Sequence, residues 1–430
     1  MKRIFVCLLL LCAVRAVFAQ ESKTSYFLDH DLYSWKLNPG SRFDENPHTF
    51  FSVGTGEASA SFLASFNSPR LKLKAIPLLF SGWDDMIAGL EALGSNTKFD
   101  FRNYMLASAS YNLLTFGRQW ESTRYNVSVN MRTENSMRAD FDFLTDVLLS
   151  PDLKRISGMV GVSNTGFRSF NYMEVALGLG QKLGDKLTMG VAMKLLLGTF
   201  GTGVDINDLR IGVQPDGNLA ASMDAEMYFA TTLLDLGTSN WNGREVYDFS
   251  TASFGKVGFS GIGAAVDLGI TYCPLDELAL GVSVLDLGFI NWKDGFDTYL
   301  AYNGRMVESL DDIFALEMQP KNARSKMINY NIHASAQYRM PFYDGLSLGL
   351  LGTFQQYFRE GRFGVTFTPW KWLSLAASAA WNNYGGNLGA AINIRFPGVY
   401  MFVAADSFNF GPRMTSIASG LSIAFNNRRK

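Results

Sequence analysis

Between residues 187 and 197 the chain alternates strictly. Leu187, Met189, Val191, Met193, Leu195 and Leu197 fall on one side, and Thr188, Gly190, Ala192, Lys194 and Leu196 on the other. A period of two belongs to a β-strand, whose successive side chains point to opposite faces. The rhythm returns over 262–272, where Ile262, Ala264, Val266, Leu268, Ile270 and Tyr272 oppose Gly263, Ala265, Asp267, Gly269 and Thr271, and again over 219–229, 373–381 and 388–396. Soluble β-sandwiches and membrane barrels both alternate in this way. The second face separates them: here it is Gly, Ala and Ser with an occasional charge, not the Lys- and Glu-rich face of a solvated sheet. Many strands also run to about ten residues, where about 5–6 is usual in globular sheets. The pattern predicts an all-β fold, an antiparallel transmembrane outer-membrane β-barrel of about 14–18 strands, wide enough for a lumen.

The connections give the barrel a direction. Those at 184–186, 274–277, 341–345 and 397–398 are short turns, whereas 231–258 and 291–325 read as long loops. Such barrels have short periplasmic turns and longer outer loops. Counted back from a last strand at 415–425, the short turns all fall on the periplasmic side. Trp370 and Trp372 beside Pro369, and Phe396 and Tyr400 around Pro397, suit an interfacial aromatic girdle. Residues 50–66 read as a hairpin, 81–93, 140–149 and 308–318 as short helices, and 20–46 as an N-terminal segment that could fold back as a plug. The organisation expected is a leader at 1–19, that segment at 20–46, the barrel at 47–425 and a basic tail at 426–430.

The leader reading rests on Lys2 and Arg3, an apolar run over 4–14 too short for a bilayer-spanning helix, and Val17-Phe18-Ala19 before a cut ahead of Gln20. Arg15 interrupts the end of that run. Cys7 and Cys12 follow Val6 and Leu11 where a lipoprotein signal wants a small residue. Beyond the leader only Cys273 remains, so no internal disulfide is expected. Apolar residues make up 47% of the chain and charged ones only 18%, yet no later segment is apolar enough for a transmembrane helix. A net charge of −1 gives no case for nucleic-acid binding.

Chemistry is sparse. His30, His48 and His333 lie far apart, with no second ligand at a metal-like spacing. The string 345–349, Gly-Leu-Ser-Leu-Gly, matches a nucleophile elbow, but it opens a strand after a turn instead of ending one before a helix. Gly258, Gly261 and Gly263 lead into no helix that could receive a phosphate. No enzyme activity, metal or cofactor is therefore expected. The candidate functional residues are those on the small, polar strand faces, as lumen lining: Glu174, Lys194, Asp224, Glu226, Asp267, His333 and Arg395. Mutual pairing of these charges is the favoured reading, and a substrate path the alternative. Asp286, which interrupts the apolar series Leu278, Leu280, Val282, Val284, and Asp406 read as points where a strand leaves the lipid.

The order of segments resembles a Bacteroidota outer-membrane barrel family catalogued as a domain of unknown function, similar in layout to FadL-like and PorV-like barrels. The residues that carry it are Ser25-Tyr26-Phe27-Leu28 with Leu37-Asn38-Pro39, then Tyr172-Met173-Glu174-Val175-Ala176-Leu177-Gly178 before Gly184-Asp185-Lys186-Leu187-Thr188-Met189-Gly190. Ala264-Ala265-Val266-Asp267-Leu268-Gly269 follows, and the most specific stretch is Ser283-Val284-Leu285-Asp286-Leu287-Gly288-Phe289-Ile290-Asn291-Trp292. Residues 370–375 and Ala404-Ala405-Asp406-Ser407 complete the match. Where the FadL-like pattern has Asn-Pro-Ala, this chain has Asn38-Pro39-Gly40. The resemblance implies an outer-membrane barrel and hands over no activity. Passive transport of a small molecule, a hydrophobic one by analogy of layout, is the expected function. The alternative is a barrel that docks a surface or secretion protein through its long loops, which contain Trp241, Tyr247, Phe249, Phe296, Tyr299 and Tyr302. The other partners expected are outer-membrane lipid and, during biogenesis, the barrel assembly machinery.

Overall fold

In a computed structural model of the chain, the structure describes residues 23–28, 34–43, 48–52, 55–62, 102–140, 158–213, 219–232, 234–241, 244–256, 258–306, 317–355, 358–382, 385–406 and 414–426. A 3-10 turn, Lys23–Phe27, and one helical turn, α1 (Ser34–Leu37), precede the strands. The strands are β1 (His48–Ser52), β2 (Thr55–Phe62), β3 (Arg102–Gln119), β4 (Thr123–Asp140), β5 (Gly158–Leu183), β6 (Leu187–Val213), β7 (Leu219–Thr231), β8 (Leu234–Trp241), β9 (Arg244–Phe254) and β10 (Gly261–Tyr272). They continue as β11 (Leu278–Met306), β12 (Glu317–Met327), β13 (Asn331–Arg339), β14 (Leu346–Phe354), β15 (Arg359–Trp370), β16 (Leu373–Asn382), β17 (Gly385–Phe396), β18 (Val399–Ala405) and β19 (Met414–Asn426).

These strands make a closed antiparallel barrel of 14 staves. Three staves are built from two strands each. β1 and β2 both pair with β3 and β19, one after the other along the same ladder, so they form one interrupted stave that closes the ring. The hairpin expected at 50–66 is therefore a single broken strand. β7 and β10 share the stave between β6 and β11, and β12 and β13 share the next one. The turns at 184–186, 274–277, 340–345, 371–372 and 397–398 lie on the rim that also holds the barrel's two chain ends.

The two regions expected as long loops are mostly strand. β11 runs on to Met306 and β12 starts at Glu317, while β8 and β9 pair as a separate hairpin. Acidic residues, asparagines and glycines interleave with the aromatics in these stretches and read as loop signals, and that hid them. Of the three expected helices, Asp140 instead ends β4 and Glu317–Met318 begin β12; the rest lies outside the described residues. The wall is consequently lopsided. β5, β6 and β11 hold 26, 27 and 29 residues, whereas β13 to β18 hold 7 to 12.

The β8–β9 hairpin leaves the wall in mid-stave without interrupting its ladder. Thr231 opposes Phe200 and Gly261 opposes Gly198. Ser260 fills the one position between them: its N–H donates to the Gly198 carbonyl at 2.8 Å, and its own carbonyl accepts from Lys293 N–H at 2.6 Å. Its hydroxyl adds a bond to the Thr199 carbonyl at 3.2 Å. Replacing residues 232–259 by two glycines is therefore expected to leave a barrel with parental heat-modifiable mobility on a gel. Loss of that folded band would show that the hairpin is needed to close the wall.

Outward positions carry the apolar side chains the alternation assigned to lipid. Leu177, Met193, Leu195, Ile262, Leu268, Phe363 and Leu421 are all exposed, and so are Trp370, Trp372 and Phe396 at the rim. Trp370 stacks on Trp372 at 5.3 Å, and Trp372 on Phe396 at 6.3 Å. Many inward positions are small or polar, but two buried apolar clusters also face in: Phe50, Leu351, Tyr400 and Phe402 around Phe27 and Leu28 of the N-terminal segment, and Phe170, Tyr172, Leu196, Tyr228, Ile290 and Trp292 on β5, β6, β7 and β11.

Candidate functional site

The described parts of the N-terminal segment, residues 23–28 and 34–43, lie inside the ring and reach opposite walls. At one end, the N–H of Lys23 donates to Asp406 Oδ2 at 2.8 Å, and the Thr24 hydroxyl donates to Asp406 Oδ1. Arg362 of β15 crosses beneath them. Its Nε donates to Glu360 at 3.0 Å, and its Nη1 to Thr24 at 3.0 Å, Ser378 at 2.7 Å and Asp406 at 2.9 Å. The Arg362 side chain is fully buried. Lys23 Nζ sits 3.7 Å from Glu360 and 4.1 Å from the centre of the Phe358 ring. The Phe27 ring lies over Gly349 and Gly364, where a Cβ would fall about 2.5 Å from it, and its carbonyl accepts from Thr366. Tyr26 donates to Ser335 at 2.7 Å. Burial raises the Tyr26 phenol above its ordinary range against the pull of that bond, so it stays a donor.

The other end crosses to β4, β6, β10 and β11. Ser283 of β11 donates to the Leu37 carbonyl at 2.5 Å. Asn38 donates to Thr271 at 3.1 Å, and Arg124 of β4 donates to the Pro39 carbonyl and the Ser41 hydroxyl, both at 3.0 Å. Backbone meets backbone here. A Cβ on Gly190 would lie 2.1 Å from the Pro39 carbonyl oxygen, and one on Gly40 2.4 Å from that of Gly269. The second contact explains why Gly40 stands where the FadL-like pattern has alanine: a methyl group would drive the segment off β10.

Beside this segment a charged network joins five staves, β4, β5, β6, β10 and β11. Arg132 of β4 donates through Nη1 to Glu174 at 2.8 Å and to Asp286 Oδ1 at 2.7 Å, and through Nη2 to Asp286 Oδ2 at 2.9 Å and Glu134 at 3.3 Å. Lys194 of β6 lies 2.6 Å from Asp286, 2.7 Å from Asp267 and 3.8 Å from Glu174. Tyr172 donates to Glu134, and Asn130 to Glu174 at 2.9 Å. Two cations thus hold four carboxylates, all mostly buried.

A β-bulge makes the network possible. Val266 opposes Leu287 but Leu268 opposes Val284, so Leu285 and Asp286 together face Asp267. Asp286 takes φ of 60°, a conformation aspartate tolerates better than most residues, and its N–H donates to Asp267 Oδ1 at 2.7 Å. Outward parity switches across it: Leu280 and Val282 are exposed before the bulge, Leu287 and Phe289 after it. Asp286 therefore does not mark an exit from lipid; it is 3% exposed and turned inward. Asp406 is corrected likewise, being fully buried against Lys23, Thr24 and Arg362.

The expected lumen residues divide accordingly. Glu174, Lys194 and Asp267 meet in the network. His333 is buried elsewhere on β13, its Nδ1 3.1 Å from the Thr353 hydroxyl. Asp224 shares the face of buried Tyr228 and Ala230 but is exposed, accepting from Asn207 at 3.3 Å. Arg395 is half-buried near the short-turn rim. The side chain of Glu226 lies outside the described residues. Ser347, the elbow serine, sits within β14 opposite Arg339 and Thr366, while His333 opposes Thr353. Among the described residues no group of His, Cys, Asp or Glu is placed to hold a metal ion.

Arg132, Glu134, Glu360 and Arg362 were missed. The first two had a signal: Arg124, Asn126, Ser128, Asn130, Arg132 and Glu134 make every second residue of β4 polar, against Tyr125, Val127, Val129 and Met131. For the second two, the alternation of Phe363, Val365 and Phe367 sets Glu360 and Arg362 inward. Nothing in the sequence pairs them with Lys23 and Thr24.

No curated protein matches the chain. Among solved structures, a deltaS2S3 mutant of the monoaromatic hydrocarbon channel TodX is 10% identical, with 92% of this chain and 94% of that one covered and a TM-score of 0.45. The toluene transporter TodX of Pseudomonas putida is 9% identical over 95% of each chain, at 0.41. A FadL homologue of Pseudomonas aeruginosa is 11% identical over 95% of this chain and 99% of that one, at 0.43. Likeness at this level carries no argument about what the present barrel does. The model of the family of unknown function DUF5723 matches residues 85–406, most of the chain's length, and the protein belongs to that family.

Proposed function

We propose that this protein is an outer-membrane barrel that passes a small solute through a lumen its own N-terminal segment closes from inside. One observation carries the reading. Residues 23–28 are bonded to β15, β16 and Asp406 on one side of the interior, and residues 34–43 to β4, β10 and β11 on the other. A barrel that served only as a scaffold has no need of a stopper held at both ends, whereas a regulated path does. The exposed apolar belt and rim aromatics support lipid as the surroundings.

The test compares the full chain with a variant lacking residues 23–43, both reconstituted in vesicles and both showing a heat-modifiable folded band. Deletion is expected to raise osmotic swelling rates in small neutral solutes at least tenfold. A folded deletion variant no more permeable than empty vesicles would overturn the reading. A docking role draws some support from β5, β6 and β11, whose 26 to 29 residues far exceed the ~10 that cross a bilayer. A protein retained by the full chain and lost on shortening those strands at their outer ends would favour it.

A further inference from the structure

On the low side of the wall, next to the Lys23 anchor, the inner faces of β13 to β17 carry a row of polar side chains near the outer ends of their strands. His333 opposes Thr353, Thr353 opposes Glu360, and Glu360 opposes Asn382 along consecutive ladders. Arg362 and Asn387 flank the same level, since both oppose Ala380. His333, Arg362 and Asn387 are 4%, 2% and 3% exposed. Yet among the described residues His333 Nε2, Arg362 Nη2 and both amide atoms of Asn387 have no hydrogen-bond partner. Buried polar atoms are nearly always paired, so orphans on three alternate staves, β13, β15 and β17, call for an explanation.

The character of the row limits the ligand. Its charges already balance, Lys23 and Arg362 against Glu360 and Asp406, in bonds that hold the segment. No net charge is left to recruit an ion. The unmet atoms are of both kinds: Arg362 Nη2 and Asn387 Nδ2 donate, Asn387 Oδ1 accepts, and His333 Nε2 takes the role its Nδ1 leaves it. A purely apolar solute would satisfy none of them. Hydroxyl groups donate and accept from one atom and suit all four.

We propose that this row binds a neutral polyhydroxylated solute of the sugar class, entering from the outer end of the lumen. The inference rests on the transport reading and names its solute; it replaces the hydrophobic molecule suggested by layout. It is tested on the full-length barrel in detergent, by saturation-transfer NMR and calorimetry with D-glucose, maltose and myo-inositol, against acetate and toluene as charged and apolar comparators. Saturable binding of at least one polyol is expected, weakened tenfold or more in Asn387→Leu and in His333→Phe. Both variants should keep the parental heat-modifiable transition within a few degrees, and Asn387→Ala serves if leucine does not fold. Preference for acetate or toluene would overturn the proposal, as would equal polyol binding by the variants. So would no polyol binding together with a more stable Asn387→Leu, the result expected if the row holds only water. If the polyols fail while deletion of 23–43 still opens the lumen, the solute class falls and the stoppered barrel stands.

Discussion

Replacing Lys194 by methionine is expected to cost the folded barrel about 3–5 kcal/mol, the loss typical when one member of a buried ionic group is removed. The ammonium lies 2.6 Å from Asp286, 2.7 Å from Asp267 and 3.8 Å from Glu174, with its side chain 8% exposed. Methionine matches its length and none of its charge. Four carboxylates would then share Arg132 alone, in a region too buried for water to screen them. The measurement is the urea midpoint of the folded, heat-modifiable band in matched vesicles. A second substitution, Asp267→Asn, is expected to recover part of the loss. It removes one orphaned charge while the amide oxygen still accepts the Asp286 N–H, so the bulge keeps its bond. If Lys194→Met unfolds with the parent, the four carboxylates are already neutralised by another route and the cation is dispensable.

That network also shows where sequence reading stops. Alternation over 187–197 and 262–272 placed Lys194 and Asp267 on the inner face and Met193 and Leu268 on the outer one, because side-chain parity along a regular strand is set by geometry alone. One inserted residue defeats that logic. Past Leu285 the described side chains of β11, as far as Lys293, change face, and Asp286, which by parity belonged with Val282 and Val284, turns to meet Arg132. The stretch around this bulge was the most specific part of the family resemblance. A second limit is partnership at long range: Lys23 and Asp406 meet across 383 residues of chain. Neither β18 nor the first residues of the segment has a pattern that names the other. Gly40 lies between these cases. Its departure from the family pattern was visible, but its reason, the Gly269 carbonyl 2.4 Å from where a Cβ would stand, is a tertiary contact.

The second large effect is expected at that long-range contact. Arg362→Met should destabilise the barrel by a similar ~3–5 kcal/mol and, unlike Lys194→Met, should free the start of the N-terminal segment. Arg362 is the only described side chain bonded at once to Glu360, Ser378, Asp406 and Thr24. Without it Asp406 keeps the Lys23 N–H, the Thr24 hydroxyl and Ser416, but no counter-charge. Two readouts separate the local effect from general loosening. Trypsin should cut the variant after Lys23 or Lys36 at urea concentrations where the parent resists, and Lys194→Met, matched for stability, should be cut less at those sites. Swelling rates should rise towards those of the variant lacking residues 23–43. Arg362→Lys should fall between, since an ammonium restores the charge but cannot fork to β16, Asp406 and the segment together. If Arg362→Met protects Lys23 and Lys36 as well as the parent does, the segment is held from its other end. Asn38, Arg124 and the close backbone contact at Gly190 then become the hinge on which opening turns.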